Sequence, residues 1–191
     1  RVLFRSAAHR GIGKLQARRG DFDDAMASFT AASEIRQDAD ILLLLGAAAE
    51  AVPDNETALA AYEAMVELAP TSSVALNQLA WFLLNNTDDA TRAVALAEEA
   101  NGLDPGSASI LDTLGWAHYH LGELEQALDA LRQAYEIDQG RRPEIGLRLA
   151  EVALEAGHPE AAREIVDTLE DRRVLGPASG QLRDLRSRLA Q

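Results

Sequence analysis

The sequence predicts an all-α fold, a solenoid of about five helical hairpins closed by a C-terminal helix. Three observations predict it. Of the 191 residues 47% are apolar and only 5% aromatic, so the core is built mainly from Ala and Leu, which suits closely packed helices. No sustained alternation of Val, Ile or Thr with polar residues marks a strand. Two residue ladders repeat through the chain with a period near 34.

The first ladder is a large apolar residue followed by a small one: Ile12-Gly13, Leu45-Gly46, Leu79-Ala80, Leu114-Gly115 and Leu149-Ala150, with spacings of 33, 34, 35 and 35. The second is a small residue early in the following helix: Ala25, Ala58, Ala93, Ala127 and Ala162, with spacings of 33, 35, 34 and 35. Two independent ladders sharing one period over five copies define repeats at about 7–38, 39–72, 73–107, 108–142 and 143–174. Within each repeat a turn is expected at Gly20-Asp21, Asp54-Asn55, Asp88-Asp89, Gly122-Glu123 and Gly157-His158. Glycine accepts a left-handed cap there, and an acidic residue favours the next helix's N-terminus. Between repeats, Pro70 and Pro105 end the second helices, and Gln37 and Gln139 hold the equivalent places.

The ends are read separately. Arg1–Ser6 (RVLFRS) matches the translation of a sequencing-adapter end, so these six residues are set aside as an artefact. After Pro177, residues 177–191 are expected to form a capping helix, about Ser179 to Ala190. Leu182, Leu185 and Leu189 form one apolar side and Arg183, Arg186 and Arg188 occupy the others, with Gln191 near the C-terminus.

The repeat resembles the tetratricopeptide (TPR) family over roughly residues 7 to 174. Its fourth copy carries the family pattern at Leu111, Leu114, Gly115, Gly122, Leu124, Ala127, Leu131 and Ala134, and departs from it at His118 and Gln139. The resemblance implies a right-handed solenoid, a non-enzymatic protein-binding scaffold, and a concave groove lined by the first helix of each repeat. On that register the candidate groove residues are Arg10, Lys14 and Arg18 in the first copy, then Asn77, Trp81 and Asn85 in the third. Asp112, Trp116 and Tyr119 follow in the fourth, and Glu151 and Glu155, with Glu144, in the fifth. A cationic end, an aromatic middle and an acidic end would suit a protein or peptide ligand. Trp81 and Trp116 serve either as ligand contacts or as packing against a neighbouring helix, and their exposure decides between the two.

Other chemistries find little support. The net charge of −13 opposes nucleic acid and anionic membrane surfaces as partners. The longest apolar run, Ile41 to Ala49, is too short to span a bilayer. No cysteine is present, so disulfides, thiolate metal sites and a Cys nucleophile are excluded. Gly11-Ile12-Gly13-Lys14 lacks the spacing and the Ser or Thr of a phosphate loop. His118 and His120 diverge on a helix and cannot share a metal. No cofactor is expected, and no Gly-x-Ser-x-Gly elbow is present. The sequons at Asn55 and Asn85 are matches of pattern only. The pattern of the co-chaperone carboxylate clamp is matched at Asn77 alone.

The stretches Leu76–Trp81 (LNQLAW) and Leu111–Trp116 (LDTLGW) are similar to the C-terminal parts of bacterial TPR proteins of the exopolysaccharide and PEP-CTERM (exosortase) systems. That resemblance implies an adaptor in a cell-envelope assembly, with the envelope favoured over the cytoplasm. The alternatives are a recognition arm of an enzyme whose catalytic domain lies upstream, or a cytosolic peptide-sensing regulator.

Overall fold

The computed structural model describes residues 2–172, 176 and 178–190. Arg1, Pro177, Gln191 and the expected end of the fifth repeat at 173–174 lie outside the described residues. Eleven helices and no strand occur among the described residues. They are α1 (Val2–Arg19), α2 (Phe22–Ile35), α3 (Ala39–Ala51), α4 (Asn55–Leu68), α5 (Ser73–Asn86) and α6 (Ala90–Leu103). Then follow α7 (Ala108–His120), α8 (Leu124–Asp138), α9 (Pro143–Glu155), α10 (Pro159–Asp171) and α11 (Ala178–Arg188).

The chain divides into two compact units, Arg1–Asn86 and Thr87–Gln191, with the boundary inside the predicted third repeat. The first unit holds the hairpins α1/α2 and α3/α4, then α5 packed on α4. The second holds α6 packed on α7, the hairpins α7/α8 and α9/α10, and α11 against α9 and α10.

The two ladders explain the hairpins in both units. A Cβ added at Gly13 would lie 2.6 Å from the Phe29 ring, one at Gly46 2.6 Å from the Tyr62 ring, and one at Gly115 2.6 Å from Leu131. Phe29, Tyr62 and Leu131 thus fill the space that the missing side chain leaves in the partner helix of their own hairpin. Ala25, Ala58 and Ala127 at the second ladder are fully buried. Burying a side chain such as Leu131, 0% exposed, is worth about 1.5–3 kcal/mol, which is why one misplaced methyl group here is felt. In the first unit the Tyr62 ring also meets Phe82 of α5, with centroids 5.6 Å apart.

The expected turns all fall at helix starts. Asp21, Asp54, Asp89, Glu123 and His158 are the N-cap residues of α2, α4, α6, α8 and α10. Asp54 accepts from the backbone N–H of Thr57 at 3.1 Å and from its hydroxyl at 2.7 Å, and these bonds hold its carboxyl below the usual range. Asp89 likewise accepts from the Arg92 N–H at 3.1 Å. Gly122 takes φ of 76°, the left-handed cap that closes α7.

The link between α8 and α9 is built differently from the proline links. Gln139, at the place that Pro70 and Pro105 hold in other copies, has φ of 57°, a conformation that proline cannot adopt. Gly140 follows at φ 62°, where a Cβ would strike the Arg172 guanidinium and the Tyr135 hydroxyl. Asp138 secures the link by accepting from the Arg142 backbone N–H at 2.6 Å and its Nε at 2.8 Å. Burial alone would raise the Asp138 carboxyl, but these bonds and the Arg142 charge outweigh it and hold it below the usual range.

Helices occupy both ends of the described chain. Residues 2–6 continue α1, and Ser6 is buried with its hydroxyl donating to the Ala32 carbonyl at 3.1 Å. In α11, Leu182, Leu185 and Leu189 are buried as the stripe requires.

Candidate functional site

In the second unit the first helices of the pairs, α7 and α9, together with α11 form one wall. On α7 the Trp116 and Tyr119 rings stack with centroids 4.8 Å apart and planes at 22°, and His120 sits edge-on to the indole at 5.2 Å. One helical turn separates these residues, so the stack follows from the helix itself. From α9 the Arg148 guanidinium lies over the Trp116 ring, its central carbon 5.4 Å from the centroid. Arg148 also bonds Oδ2 of Asp112 on α7.

Asp112 is 8% exposed, and its Oδ1 is buried without a hydrogen-bond partner. Burial pushes its carboxyl up from the ordinary range, and the Arg148 charge and hydrogen bond pull it part of the way back. Asp112 therefore holds Arg148 against the indole. The Tyr119 hydroxyl donates to Glu155 at 2.9 Å. Burial pushes the Tyr119 phenol up to about 12, and the bond to Glu155 and the charges of Glu151 and Glu155 act in the same direction.

The expected acidic end is met by one cation. Arg188 of α11 reaches Glu151 at 3.5 Å and Glu155 at 3.6 Å, and Asp184 within its own helix at 3.9 Å. Arg186 pairs with Asp167 of α10 at 2.6 Å. An open pocket of about 400 Å³ lies against this wall, lined by Trp116, Arg148, Glu151, Asp184, Leu185 and Arg188 among others. Its chemistry is one aromatic face, apolar leucine and a mixture of both charges.

The first unit carries the remaining candidates. Arg10 is half-buried and pairs loosely with Asp40 at 3.9 Å, while Lys14 and Arg18 are exposed on the same helix. Trp81 is half-buried on α5, and Asn85 donates to its backbone carbonyl at 2.7 Å. Asn77 has a buried side-chain oxygen with no partner. Glu50 of α3 joins this unit's helices by accepting from the Tyr62 hydroxyl at 2.9 Å and from Asn86 at 3.3 Å.

Neither indole is fully buried. The structure brings Asp112, Trp116, Tyr119, Glu151 and Glu155 together in the second unit, whereas Arg10, Lys14, Arg18, Asn77, Trp81 and Asn85 belong to the first. Sequence reasoning missed Arg148 and Arg188. Arg148 lies one residue before the Leu149 marker, a position outside the register read for the groove, and Arg188 lies in a helix outside the repeat. Among the described residues no three His, Asp or Glu side chains converge as a metal site. No helix among them is long and apolar enough to cross a membrane.

Three family models, each described as tetratricopeptide repeat, match residues 10–73, 87–140 and 122–183. A TPR repeat-containing protein of Pseudomonas aeruginosa, PA4667, is 37% identical over 67 residues, which are 35% of this chain and 11% of that protein. The match thus spans a small part of that relative's length. Solved structures share the fold. MamA from residue 41 onward, of Desulfovibrio magneticus RS-1, has a TM-score of 0.76 at 19% identity, covering 87% of this chain and 94% of that one. Pseudomonas aeruginosa pilF reaches 0.80 at 19% identity, covering 97% and 82%. PilW, described as a widely conserved type IV pilus biogenesis factor, reaches 0.81 at 18%, covering 96% and 91%. Period, paired helices and matched models agree, and the chain belongs to the tetratricopeptide repeat family.

Proposed function

We propose that this chain is a non-catalytic scaffold that binds a peptide or a partner protein along the wall of α7, α9 and α11. The observation that carries the reading is the partly exposed Trp116 ring lining the 400 Å³ pocket, stacked on Tyr119 and held by Arg148, which lines the same pocket. A rigid aromatic with its rotamer fixed by stacking loses little freedom when a ligand covers it, which suits it as an anchor. Mixed charges at the rim favour a polar, extended segment with an apolar or aromatic residue at its centre. Affinity of such an open wall should be micromolar, about −8 kcal/mol.

The setting follows as a further proposal: an assembly of the bacterial cell envelope, of the exopolysaccharide or protein-sorting kind. The sequence likeness of LNQLAW and LDTLGW supports it, and so does fold likeness to PilW, a pilus biogenesis factor.

Selection of a random peptide library on the immobilised chain, with fluorescence anisotropy of the labelled peptides as the titration signal, tests the site. Selected peptides should bind Trp116→Ala at least tenfold more weakly, and Arg148→Gln several-fold more weakly, with both variants folded by circular dichroism. Peptides that bind both variants as tightly as the wild type would remove this wall as the site.

A further inference from the structure

The two arginines that α11 turns toward its neighbours are held in different ways. Arg186 is hydrogen-bonded to Asp167 of α10 at 2.6 Å. Arg188 instead lies among three carboxylates, Glu151 at 3.5 Å, Glu155 at 3.6 Å and Asp184 at 3.9 Å. All three separations exceed the roughly 2.7–3.2 Å of a hydrogen-bonded pair. Arg186 thus clasps α11 to α10, while Arg188 is shared loosely between acids.

Those acids belong to the pocket more than to the packing of the helix. Glu151, Asp184 and Arg188 line the 400 Å³ pocket together with Trp116. The Glu151 and Asp184 side chains keep 34% and 71% of their exposure, and Arg188 keeps 35%. The α11 helix is seated by Leu182, Leu185 and Leu189, which are buried in one cluster with Leu149 and Leu169. Arg148, the other guanidinium lining the pocket, bonds Asp112. These contacts join four carboxylates, Asp112, Glu151, Glu155 and Asp184, to two guanidiniums.

That imbalance sets the charge of a matching ligand. A segment that covers the pocket takes water away from Glu151 and Asp184, and a carboxylate without a full partner is costly to desolvate. A ligand anion would add repulsion to that cost, and an apolar ligand would leave it in place. A ligand cation removes it. The chain's own guanidinium at the meeting point of three acids marks where such a group would sit. Its long side chain is partly exposed and loosely paired, so moving it aside loses little.

We propose that Arg188 stands in for a cation of the bound segment. That segment carries an Arg or Lys side chain that enters between Glu151 and Asp184, beside the Trp116 ring, and turns Arg188 out toward solvent. The inference rests on the reading of this wall as a peptide site, and adds to it a charge requirement and an internal competitor.

The probes are labelled peptides selected on the immobilised chain for binding that depends on Trp116. Each is made with its Arg or Lys intact and with norleucine in that place, and titrated by fluorescence anisotropy. The norleucine forms should bind about fivefold more weakly, and Glu151→Gln with Asp184→Asn should shrink that difference to about twofold or less. Arg188→Gln should bind the cationic peptides about threefold more tightly, and Arg188→Lys, which restores a competing cation, should show less than half of that gain. Arg186→Gln loosens the clasp on α10 outside the pocket and should bind as the wild type does. Trp116-dependent peptides that lack Arg and Lys, or that lose nothing to norleucine, overturn this inference and leave the wall standing as a site. Arg188→Gln that fails to tighten binding overturns it as well. So does equal tightening by Arg186→Gln, because release of α11 rather than loss of a competitor would then be the cause. A selection without any Trp116-dependent peptide removes the site itself, and this inference with it.

Discussion

At the C-terminal end, Leu182, Leu185 and Leu189 of α11 are buried against α9 and α10, and Arg186 and Arg188 pair with acids on those helices. At the N-terminal end, Ile12 and Leu15 of α1 face outward, and Arg10 has Asp40 at 3.9 Å. Both ends carry the same kind of apolar stripe. The difference teaches that a repeat's sequence specifies which positions want cover, while a neighbouring element decides whether they receive it. Stability in such a chain is a sum of hairpins and the interfaces between them.

The comparison breaks most easily at equivalent ladder positions. Leu149 is 5% exposed and Ile12 is 48% exposed at the same register. Leu149→Ala should cost about 2–5 kcal/mol, because it leaves a cavity between α8 and α9. Ile12→Ala should cost less than about 1 kcal/mol, since little packing is lost and alanine favours the helix. Urea unfolding followed by circular dichroism measures both; equal costs would mean the outward stripe is already covered in solution. A smaller effect is expected inside the fourth hairpin, where Ala127 is fully buried and its carbonyl would lie 3.1 Å from a Cβ at Gly115. Ala127→Leu should overpack this contact and cost about 1–3 kcal/mol in the same measurement.

That hairpin also shows how much of the molecule was legible in advance. Gly115 and Ala127 were readable because close approach permits only a small residue, and the steric demand repeats every 33 to 35 residues along the chain. The N-caps were readable for a similar local reason: Asp54 and Asp89 bond a backbone N–H three residues on. The wall around Trp116 was legible only in part. Trp116 and Tyr119 lie on one helix and declare their stacking by spacing, but Arg148 reaches Asp112 across 36 residues. Likewise Glu151 and Glu155 read as an open acidic end until α11 sets Arg188 between them. Long flexible side chains choose partners in space, and one sequence carries no register for that choice.

The α8–α9 link sharpens the comparison at lower energy. Asp138→Ala removes the acceptor for the Arg142 N–H and guanidinium and should cost about 1–2 kcal/mol near neutral pH. The sign of its pH dependence is fixed by a folded value lower than the ordinary 3.8. The carboxylate's contribution is present above about 3.8 and is lost as pH falls through the lower folded value. Wild type and Asp138→Asn should therefore converge in stability only below pH 3.8.

The smallest expected effect is spectroscopic and tests the C-terminal wall directly. Tyr119 is pushed up to about 12, with burial first, then the bond to Glu155 and the nearby Glu151 and Glu155 charges; Arg188 opposes the shift. A raised folded value means that the protonated phenol is favoured by the fold. Its contribution to stability is full below the ordinary 10 and is lost as pH rises through about 12. Ultraviolet titration of the phenolate should follow Tyr119 most cleanly by difference against Tyr119→Phe. Glu155→Gln should move that titration down toward 10, because the acceptor's charge is removed. Arg188→Gln should move it further up, because the opposing cation is lost. Were Arg188→Gln to leave the titration unmoved while Glu155→Gln shifts it, α11 would not rest its arginine against α9 in solution, and the covered end would resemble the open one.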